Sequence, residues 1–282
     1  MKPAPFKYVR ADSVEEALSV LAKFGDDVRV VAGGQSLGAM LNMRIVTPTI
    51  VLDINRIIGL SKIESGADIV TGAMVRQADA LSNSAIRRHV GLLAQALPHV
   101  GHYQTRNRGT LGGSVAHADP SAEIPLVLAT LGGEIELRSA RRVRRVAAKQ
   151  FFRSALVTIR GGDELVTALH WPRASSDLDA AFFEFAVREG DFAIVAVACA
   201  FERGARRMRL GFGGCGEVPH VVEVSAPSGT NANWVEEIAR ELSKQLDFRS
   251  DLLASANYRR SLATVLARKA MIASIEKARA YA

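Results

Sequence analysis

Apolar and polar positions near the N-terminus alternate in a way that predicts a compact unit of helices and strands. The order Ser-Val-Glu-Glu at residues 13–16 has the spacing of a capping box, and it predicts a surface helix over residues 13–24. β-branched residues dominate 28–32, which predicts a strand. A helical turn from Leu37 and an apolar run at 50–54 follow, so we expect a βαβ-like unit that closes near residue 55.

The middle of the chain predicts short strands and helices around one irregular stretch. Apolar spacing indicates strands at residue 63 and at 68–73, then helices over 76–97. Residues 99–122 lack apolar periodicity and are rich in Gly, Asn, Thr and Ser, so we expect a long loop, and such loops are usually functional. The pattern then predicts a helix and three strands, at 125–131, 133–138, 143–146 and 165–171.

The second half of the chain begins after a candidate domain boundary at 171–179, which contains Pro172 and two serines. Beyond it the pattern predicts strands and then helices, at 181–187, 193–201, 208–212, 232–246 and 252–277. This order is typical of an α+β protein. We therefore predict a first domain over 1–175, with subdomains of about 1–55 and 56–175, and a second domain over 178–282.

Composition places the chain among ordinary globular proteins. Its 282 residues are 48% hydrophobic and 23% charged, which excludes disordered and fibrous classes. No apolar run reaches the roughly 20 residues of a membrane span, and the N-terminus lacks the apolar core of a signal peptide. We therefore expect no transmembrane segment and a cytoplasmic location.

The net charge of +7 arises in one stretch of the chain. Residues 138–160, called here the basic segment, contain eight Lys and Arg residues and no acidic residue, while the rest of the chain has 28 basic residues against 29 acidic ones. An exposed surface kept soluble by charge explains this, and docking to an acidic partner or to an anionic electron acceptor is the sharper alternative. Aromatic residues are not interleaved as a nucleic-acid-binding module would require.

Two cysteines limit the metal chemistry of the chain. Cys199 and Cys215 have no partner in a CxxC or Cys-His arrangement, so the chain cannot itself hold a four-cysteine iron–sulfur cluster or a structural zinc. Cys199 lies in an apolar strand and is expected to be a small buried hydrophobic residue. The histidines show no metal-ligand spacing. We therefore predict no metal site in this chain.

The first candidate for binding chemistry is the glycine pair after the predicted strand. Two glycines let the backbone turn with its N–H groups exposed, and a helix start adds partial positive charge, so the turn can hold a pyrophosphate. A plain tight turn is the structural alternative, and the motif is neither GxGxxG nor a Walker sequence. The candidate residues are Val30, Val31, Ala32, Gly33, Gly34, Gln35, Ser36 and Leu37.

The second candidate lies in the predicted loop, over residues 106–125. Three glycines within five residues permit close approach to a flat or phosphorylated ligand, and Thr110, Ser114 and His117 offer hydrogen bonds. Asp119 followed by Pro120 suits a helix N-cap and first helical residue. A structural Ω-loop with a capped helix is the alternative explanation.

Together these motifs carry a family resemblance. AGGQSL, followed about seventy residues later by RNRGTLGGSVAHADPSAE, resembles the FAD-binding medium subunit of the molybdenum hydroxylases, which include carbon monoxide dehydrogenase and xanthine dehydrogenase. Further matches, including REGDFA at 188–193, follow in the expected order over essentially the whole chain. The resemblance implies a two-part FAD-binding domain of the p-cresol methylhydroxylase type and a smaller α+β C-terminal domain of the carbon monoxide dehydrogenase flavoprotein type.

The resemblance also implies a set of cofactor-binding residues for noncovalent FAD. Residues 32–37 would wrap the pyrophosphate, and Leu165 and Val166 would pack against the isoalloxazine. Glu123 matches a position that the family usually fills with Asp, whose carboxylate hydrogen-bonds the cofactor, and the extra methylene shifts its reach. The ribityl-phosphate region would be lined by Gly101, Thr105, Gly109, Thr110, Leu111, Gly112, Gly113, Ser114 and His117.

The function that the resemblance implies is electron transfer within a three-subunit enzyme. A large subunit would hold molybdopterin, a small subunit would hold two [2Fe-2S] clusters, and electrons would pass through FAD here to NAD+, quinone or another acceptor, in a dimer of heterotrimers. No catalytic side chain is expected in this chain. A standalone flavin oxidase or reductase of the same fold and a basic nucleic-acid-binding module are the alternatives.

Overall fold

The structure is a computed structural model that describes residues 2–228 and 231–280. The first part of the chain forms a three-stranded parallel sheet in the order β1-β3-β2, with a short 3-10 helix before β2. Its elements are β1 (Lys7–Arg10), α1 (Val14–Phe24), β2 (Val28–Val31), α2 (Leu37–Asn42) and β3 (Ile50–Asp53). The predicted βαβ-like unit is thereby confirmed. Sequence reasoning missed β1, a four-residue edge strand.

The N-terminus of α1 shows how local chemistry fixes an element. The hydroxyl of Ser13 accepts a hydrogen bond from the backbone N–H of Glu16 at 3.1 Å. The Glu16 carboxylate in turn accepts from the backbone N–H of Asp12 at 2.8 Å. Two N–H groups at the start of the helix are therefore satisfied, which confirms the predicted capping-box helix. Ala17, Leu18 and Leu21 are buried beneath it.

The second part of the chain is built on a five-stranded sheet in the order β4-β5-β10-β6-β7, whose neighbouring strands are antiparallel. Its strands are β4 (Ile63–Ser65), β5 (Asp68–Gly72), β6 (Glu134–Arg138), β7 (Val143–Ala147) and β10 (Leu165–Pro172), and a small hairpin pairs β8 (Phe152–Ser154) with β9 (Val157–Thr158). The helices are α3 (Gln77–Ser82), α4 (Ser84–His89), α5 (Gly91–Ala96), α6 (Tyr103–Arg108), α7 (Leu111–His117), α8 (Glu123–Leu131) and α9 (Ala148–Phe151), with 3-10 turns at Ile58–Ser61 and Leu97–His99.

The third part is a four-stranded antiparallel sheet covered by two helices. The strands run in the order β11 (Leu178–Phe185), β12 (Val195–Glu202), β13 (Arg207–Gly213) and β14 (His220–Ser225). The helices α10 (Ala232–Gln245) and α11 (Ala256–Ala280) bury Leu242 and Met271 against it. Strands followed by helices confirm the predicted α+β class, while the exact domain boundary at 171–179 stays a prediction. The edge strand β14 was not predicted.

Helix α8 joins the second and third parts. All of its residues, Glu123–Leu131, are buried, as expected for a helix that is covered on every side. A Cβ atom at Gly211 of β13 would overlap with the hydroxyl of Thr130, so glycine lets strand and helix approach closely. The Arg209 guanidinium also donates to the last helical carbonyl, that of Leu131, at 2.9 Å. The C-terminal sheet is therefore packed directly against the helix that carries Glu123.

The expectation of one long loop at 99–122 is wrong, because this stretch contains α6 and α7. Glycines weaken helical periodicity, but tertiary packing overrides the low propensity of α7: Leu111 and Val115 are fully buried. The predicted N-cap at Asp119 is also wrong. Its carboxylate accepts from the backbone N–H of Ser121 at 2.8 Å, which forms a turn, and the helix begins at Glu123 with Ala122 as its cap residue.

Candidate cofactor site

A cavity of about 640 Å³ lies where the three parts of the chain meet. Its wall includes the turn between β2 and α2, the segment from Val100 to Glu123, and the approach to β10 from Leu156 to Val166. The loop Gly190–Phe192 before β12 contributes from the third part. This volume is within the range of small-molecule and cofactor sites.

The first glycine turn, residues 32–37, forms one side of the cavity. Gly34 has φ +71°, which favours glycine, and a Cβ atom at Gly33 would overlap with the carbonyl oxygen of Arg108. Among the described residues, no hydrogen-bond partner is found for the backbone N–H groups of Gly34, Gln35 and Ser36. A concave turn with free N–H groups is suited to an anionic ligand.

The second glycine segment, residues 109–114, packs against the first. The Thr110 hydroxyl caps α7 by accepting from the backbone N–H of Gly113 at 3.0 Å. A Cβ atom at Gly112 would overlap with Ala73, so only glycine lets α7 lie this close to the strand end. The segment therefore exposes backbone, instead of bulky side chains, to the cavity.

Side chains far apart in the sequence hold the two glycine regions together. The Arg76 guanidinium donates to the carbonyl oxygen of Arg108 and, at 2.7 Å, to the side-chain oxygen of Asn55. Asn55 in turn donates to the carbonyl oxygen of Ala32 at 2.8 Å. This network fixes the first glycine turn against the end of α6.

Gln77 places an unsatisfied acceptor in the cavity wall. Its side chain is buried, and the Oε1 atom has no hydrogen-bond partner among the described residues. The same oxygen would lie 2.5 Å from a Cβ atom at Gly109. A buried acceptor without a partner is costly, which points to a ligand that supplies a donor.

Two ionisable residues near the start of α8, Glu123 and His117, are held neutral. Burial and, to a smaller extent, the charge of Glu184 together raise the pKa of Glu123 to about 8, so Glu123 holds its proton at neutral pH. Burial lowers the pKa of His117, which therefore stays neutral as well. Both line the cavity and both can donate a hydrogen bond to a ligand.

The basic segment does not form one exposed surface. The carboxylate of Glu164 accepts two hydrogen bonds from Arg144, each at 2.7 Å, and one from Arg142 at 3.4 Å. Arg160 lines the cavity and donates to the carbonyl oxygen of Glu164 at 2.7 Å. Arg138 pairs with Glu15 on α1 at 2.8 Å. The expected exposure holds for part of the segment. Arg138, Arg144 and Arg160 are half-buried, and the basic residues that are exposed are Arg141, Arg142, Arg145, Lys149 and Arg153.

Almost all of the residues selected from the sequence are brought together by the fold. Val31 and Leu111 are the two that do not line the cavity, and Leu111 is fully buried in the core instead. Their contacts with a cofactor stay a prediction. Those that line the cavity are Val30, Ala32, Gly33, Gly34, Gln35, Ser36, Leu37, Gly101, Thr105, Gly109, Thr110, Gly112, Gly113, Ser114, His117, Glu123, Leu165 and Val166.

Sequence reasoning missed several lining residues. Arg29, Gln77, Arg160 and Glu164 line the cavity, and none belongs to a glycine motif. Arg160 carried a partial signal, since it ends the basic segment. Asp191, which lies within the REGDFA match at 188–193, lines the cavity too.

The described residues contain neither a cluster of metal ligands nor a membrane-spanning helix. Over residues 2–228 and 231–280, no cluster of three or more His, Cys, Asp or Glu side chains could hold a metal ion. Burial raises the pKa of both Cys199 and Cys215 to about 12, as expected for inert core thiols. In the same described ranges, no helix is both long and apolar enough to cross a membrane.

Family models match nearly the whole chain. The model described as "FAD binding domain in molybdopterin dehydrogenase" matches residues 4–174. The model described as "CO dehydrogenase flavoprotein C-terminal domain" matches residues 180–274.

Two curated relatives match over nearly their full length. The glyceraldehyde dehydrogenase medium chain of Sulfolobus acidocaldarius is 36% identical, and the alignment covers 96% of this chain and 98% of the relative. The 6-hydroxypseudooxynicotine dehydrogenase complex subunit alpha of Paenarthrobacter nicotinovorans is 35% identical, and the alignment covers 99% of this chain and 97% of the relative.

Solved structures share the fold. Carbon monoxide dehydrogenase from Hydrogenophaga pseudoflava matches with a TM-score of 0.91 and 27% identity, covering 98% of this chain and 99% of the matched one. Quinoline 2-oxidoreductase from Pseudomonas putida 86 matches with a TM-score of 0.90 and 32% identity, covering 99% of each chain. This chain is an oxidoreductase subunit, and it belongs to the family of FAD-binding medium subunits of the molybdenum hydroxylases.

Proposed function

We propose that this chain binds FAD noncovalently in the cavity and passes electrons from the iron–sulfur clusters of a small partner subunit to NAD+, quinone or another acceptor. The observation that carries the proposal is the meeting of the two glycine regions at one wall, where Gly33 lies against the Arg108 carbonyl. A wall of bare backbone lets a large, flat and phosphorylated molecule approach closely.

The residues of the cavity fit FAD in their charge and hydrogen bonding. The free N–H groups of residues 34–36 would hold the pyrophosphate, and Arg160 would supply positive charge to it. The unsatisfied Oε1 of Gln77 would accept a hydrogen bond from the cofactor. Protonated Glu123 would donate one, so the Glu in place of the usual Asp keeps a hydrogen-bonding role.

The apolar part of the cavity would hold the ring system. Leu165 and Val166 are buried at the start of β10, and they form part of the lining. Phe192, which is 63% exposed, lines the cavity from the third part of the chain. Packing between these side chains would orient a flat ring and exclude water from one of its faces.

When bound, FAD supplies the ability to accept electrons one at a time and to release them as a pair. The chain's own residues bind and orient it, and they need not act as acid, base or nucleophile on a substrate. The two buried cysteines support the view that molybdopterin and the iron–sulfur clusters lie in partner subunits. We further propose a dimer of heterotrimers with a cytoplasmic location, by analogy with multi-subunit relatives.

Purification of the full chain alone tests the proposal. We expect flavin absorbance without iron–sulfur absorbance, and release of FAD on denaturation, since the binding is noncovalent. A purified chain that binds no flavin would contradict the cofactor assignment. A chain that turns over a substrate without partner subunits would contradict electron transfer and favour a standalone flavin oxidase or reductase.

A further inference from the structure

Two separate pieces of the cavity wall are tied to one buried arginine of the third part. One piece is the loop Gly190–Phe192, between β11 and β12, and the other is the turn 119–123, before α8. Arg259 lies in the first turn of α11 and is 1% exposed. It does not line the cavity, so its influence on a bound cofactor has to pass through these two pieces of wall.

The guanidinium of Arg259 holds the base of the Gly190–Phe192 loop. Its Nη1 atom donates to the carbonyl oxygen of Ile194 at 2.5 Å and to that of Gly214 at 2.8 Å. Gly214 has φ +73°, and a Cβ atom there would lie 2.5 Å from the Ile194 carbonyl oxygen, so glycine lets the two carbonyl groups converge on one nitrogen. Because Ile194 follows Phe192 by two residues, this contact sets where the loop enters the cavity wall.

The same network reaches the turn before α8 through Gly214. The backbone N–H of Gly214 donates to the carbonyl oxygen of Pro120 at 2.8 Å. Gly214 directly follows β13, so one glycine connects that strand, Arg259 and the turn.

Asp251 provides a second route to this turn. Its carboxylate accepts from Arg259 Nη2 at 2.5 Å and lies 3.5 Å from Nε of Arg249. Arg249 in turn donates from Nη2 to the hydroxyl of Ser121 at 3.3 Å, and Ser121 is buried. Since Ser121 stands two residues before Glu123, both routes end beside the buried carboxyl group of the cavity wall.

The tip of the loop is fixed by a different contact. Gly190 has φ +83°, and a Cβ atom there would lie 2.5 Å from the ring of His102, the N-cap residue of α6. The loop therefore has one anchor in the second part of the chain and one on α11, and Phe192 lies between them in sequence.

Arginine fits this place because of its planar fork. Burying a charged side chain is costly even when it is paired, and an apolar residue of similar volume often gives a protein that is equally stable or more stable. A guanidinium presents several N–H donors in one rigid plane, so it can hold two carbonyl groups and a carboxylate at fixed positions. The buried charge of Arg259 therefore indicates a requirement for defined placement of the backbone.

We propose that Arg259 is a positioning residue for the flavin, because it fixes the Gly190–Phe192 loop and the turn before α8 relative to each other. It thereby sets how closely the wall covers one face of the bound ring. This inference rests on the proposed binding of FAD. Phe192 lines the cavity, whereas Arg259, Asp251 and Arg249 act through the backbone and through Ser121.

Arg259→Lys in the FAD-loaded full chain tests this role. Lysine keeps the charge beside Asp251 but cannot hold both carbonyl groups in one plane, so the base of the loop should move. We expect FAD affinity to fall about tenfold, as for loss of a hydrogen bond to a charged group, by titration of the FAD-free chain. Iodide quenching of the flavin fluorescence should rise, because the ring becomes more accessible to solvent. A purely structural role would lower stability and leave this quenching unchanged.

Two substitutions on α11 are the matched controls. Met271→Ala removes a fully buried side chain from the core of the third part, about 18 Å along the helix from Arg259. Arg268→Lys changes an exposed arginine that pairs with Glu236 at 3.2 Å. Both should keep the FAD affinity and the quenching of the unmodified chain, although Met271→Ala should lower the urea midpoint. Increased quenching in Met271→Ala would show that lost stability alone uncovers the flavin, and it would overturn the positioning role.

If Arg259→Lys fails to fold, Arg249→Gln decides the result. Arg249 is only half-buried, and its replacement removes the contacts with Ser121 and Asp251, so we expect the same changes at smaller size. Unchanged affinity and quenching in the deciding variant, with FAD bound, would overturn the positioning role alone. A full chain that binds no FAD would overturn the proposed function and the positioning role together.

Discussion

The first glycine turn and the basic segment both contribute to the cavity wall, but they do so by different means. The turn contributes backbone: Gly33 packs against the Arg108 carbonyl, and the N–H groups of residues 34–36 are free. The basic segment contributes side chains, with Arg144 bound to Glu164 and Arg160 at the cavity. The shape of the glycine turn follows from adjacent residues, although Arg76 and Asn55 fix its position against α6, whereas the side-chain part of the wall depends entirely on partners elsewhere in the sequence.

This difference explains why local motifs identified one region and misjudged the other. A strand followed by two glycines and a helix has few backbone solutions, so its shape follows from adjacent residues. The basic segment itself contains no acidic residue, yet Arg144 and Arg142 meet Glu164 across the β6–β7 and β9–β10 connections. A run of charged residues therefore does not show which partners its side chains contact in the fold.

The largest expected effect is the loss of the backbone-built wall in Gly33→Ala. The added Cβ atom would overlap with the Arg108 carbonyl oxygen, and neither backbone can move without disturbing the network of Arg76 and Asn55. We expect loss of bound FAD and destabilisation by about 3 kcal/mol. The FAD-to-protein ratio and urea unfolding measure the two effects.

Gly38→Ala is the matched control for this substitution. Gly38 lies one turn away in α2, where an added Cβ atom meets no atom within 4 Å. Alanine should raise helix propensity there by about 1 kcal/mol and leave FAD content unchanged. If Gly33→Ala also retained FAD, the glycine turn would be a plain structural turn and the comparison with the basic segment would fail.

Much of the fold could be predicted because it depends on local patterns. The Ser13 cap, the buried β12 strand and the amphipathic α10 each follow from neighbouring residues. Helix α7 could not be predicted, because Gly112 and Gly113 lower its helix propensity and the close packing of Gly112 on Ala73 involves a residue distant in sequence. Gln77 and Arg160 could not be placed in the cavity from sequence, since nothing near them specifies which element they face.

The second-largest effect is expected in Glu164→Gln, which tests the part of the wall that is built from side chains. Removing the charge leaves Arg144 and Arg142 without their carboxylate partner, so we expect destabilisation of about 3 kcal/mol at neutral pH by urea unfolding. Hydrogen bonding from Arg144 lowers the pKa of Glu164 to about 2. Its stabilisation is therefore complete above the unfolded pKa of about 4.5 and is lost as the pH falls through about 2.

The difference between Glu164→Gln and the unmodified chain should accordingly disappear in strong acid. Glu217→Gln, which changes an exposed carboxylate, serves as the control and should change stability by less than about 0.5 kcal/mol at any pH. A pH-independent loss of stability in Glu164→Gln would show that packing, and not the ion pairs with Arg144 and Arg142, holds this wall.

A smaller effect is expected at Arg160, which lines the cavity at the end of the basic segment. Arg160→Gln removes the charge at the cavity and the donation to the carbonyl oxygens of Gly161 and Glu164. We expect FAD affinity to fall about 10- to 100-fold, as for loss of a hydrogen bond to a charged group, by titration of the FAD-free chain. Arg160→Lys should retain part of the affinity for FAD. The control Arg153→Gln, which changes an exposed arginine, should leave the affinity unchanged. Equal affinity in Arg160→Gln would remove Arg160 from the cofactor site.

The smallest effect is expected where the basic segment faces solvent. Arg141 and Arg145 are exposed, unlike Arg144 and Arg160, so the double substitution to Gln should leave FAD content unchanged and shift the unfolding free energy by less than about 0.5 kcal/mol. If the two arginines dock an acidic partner, affinity for that partner should fall at low salt and the difference should shrink at high salt. Loss of FAD in this double variant would mean that the exposed arginines also support the cavity. The side-chain-built wall would then extend over the whole basic segment.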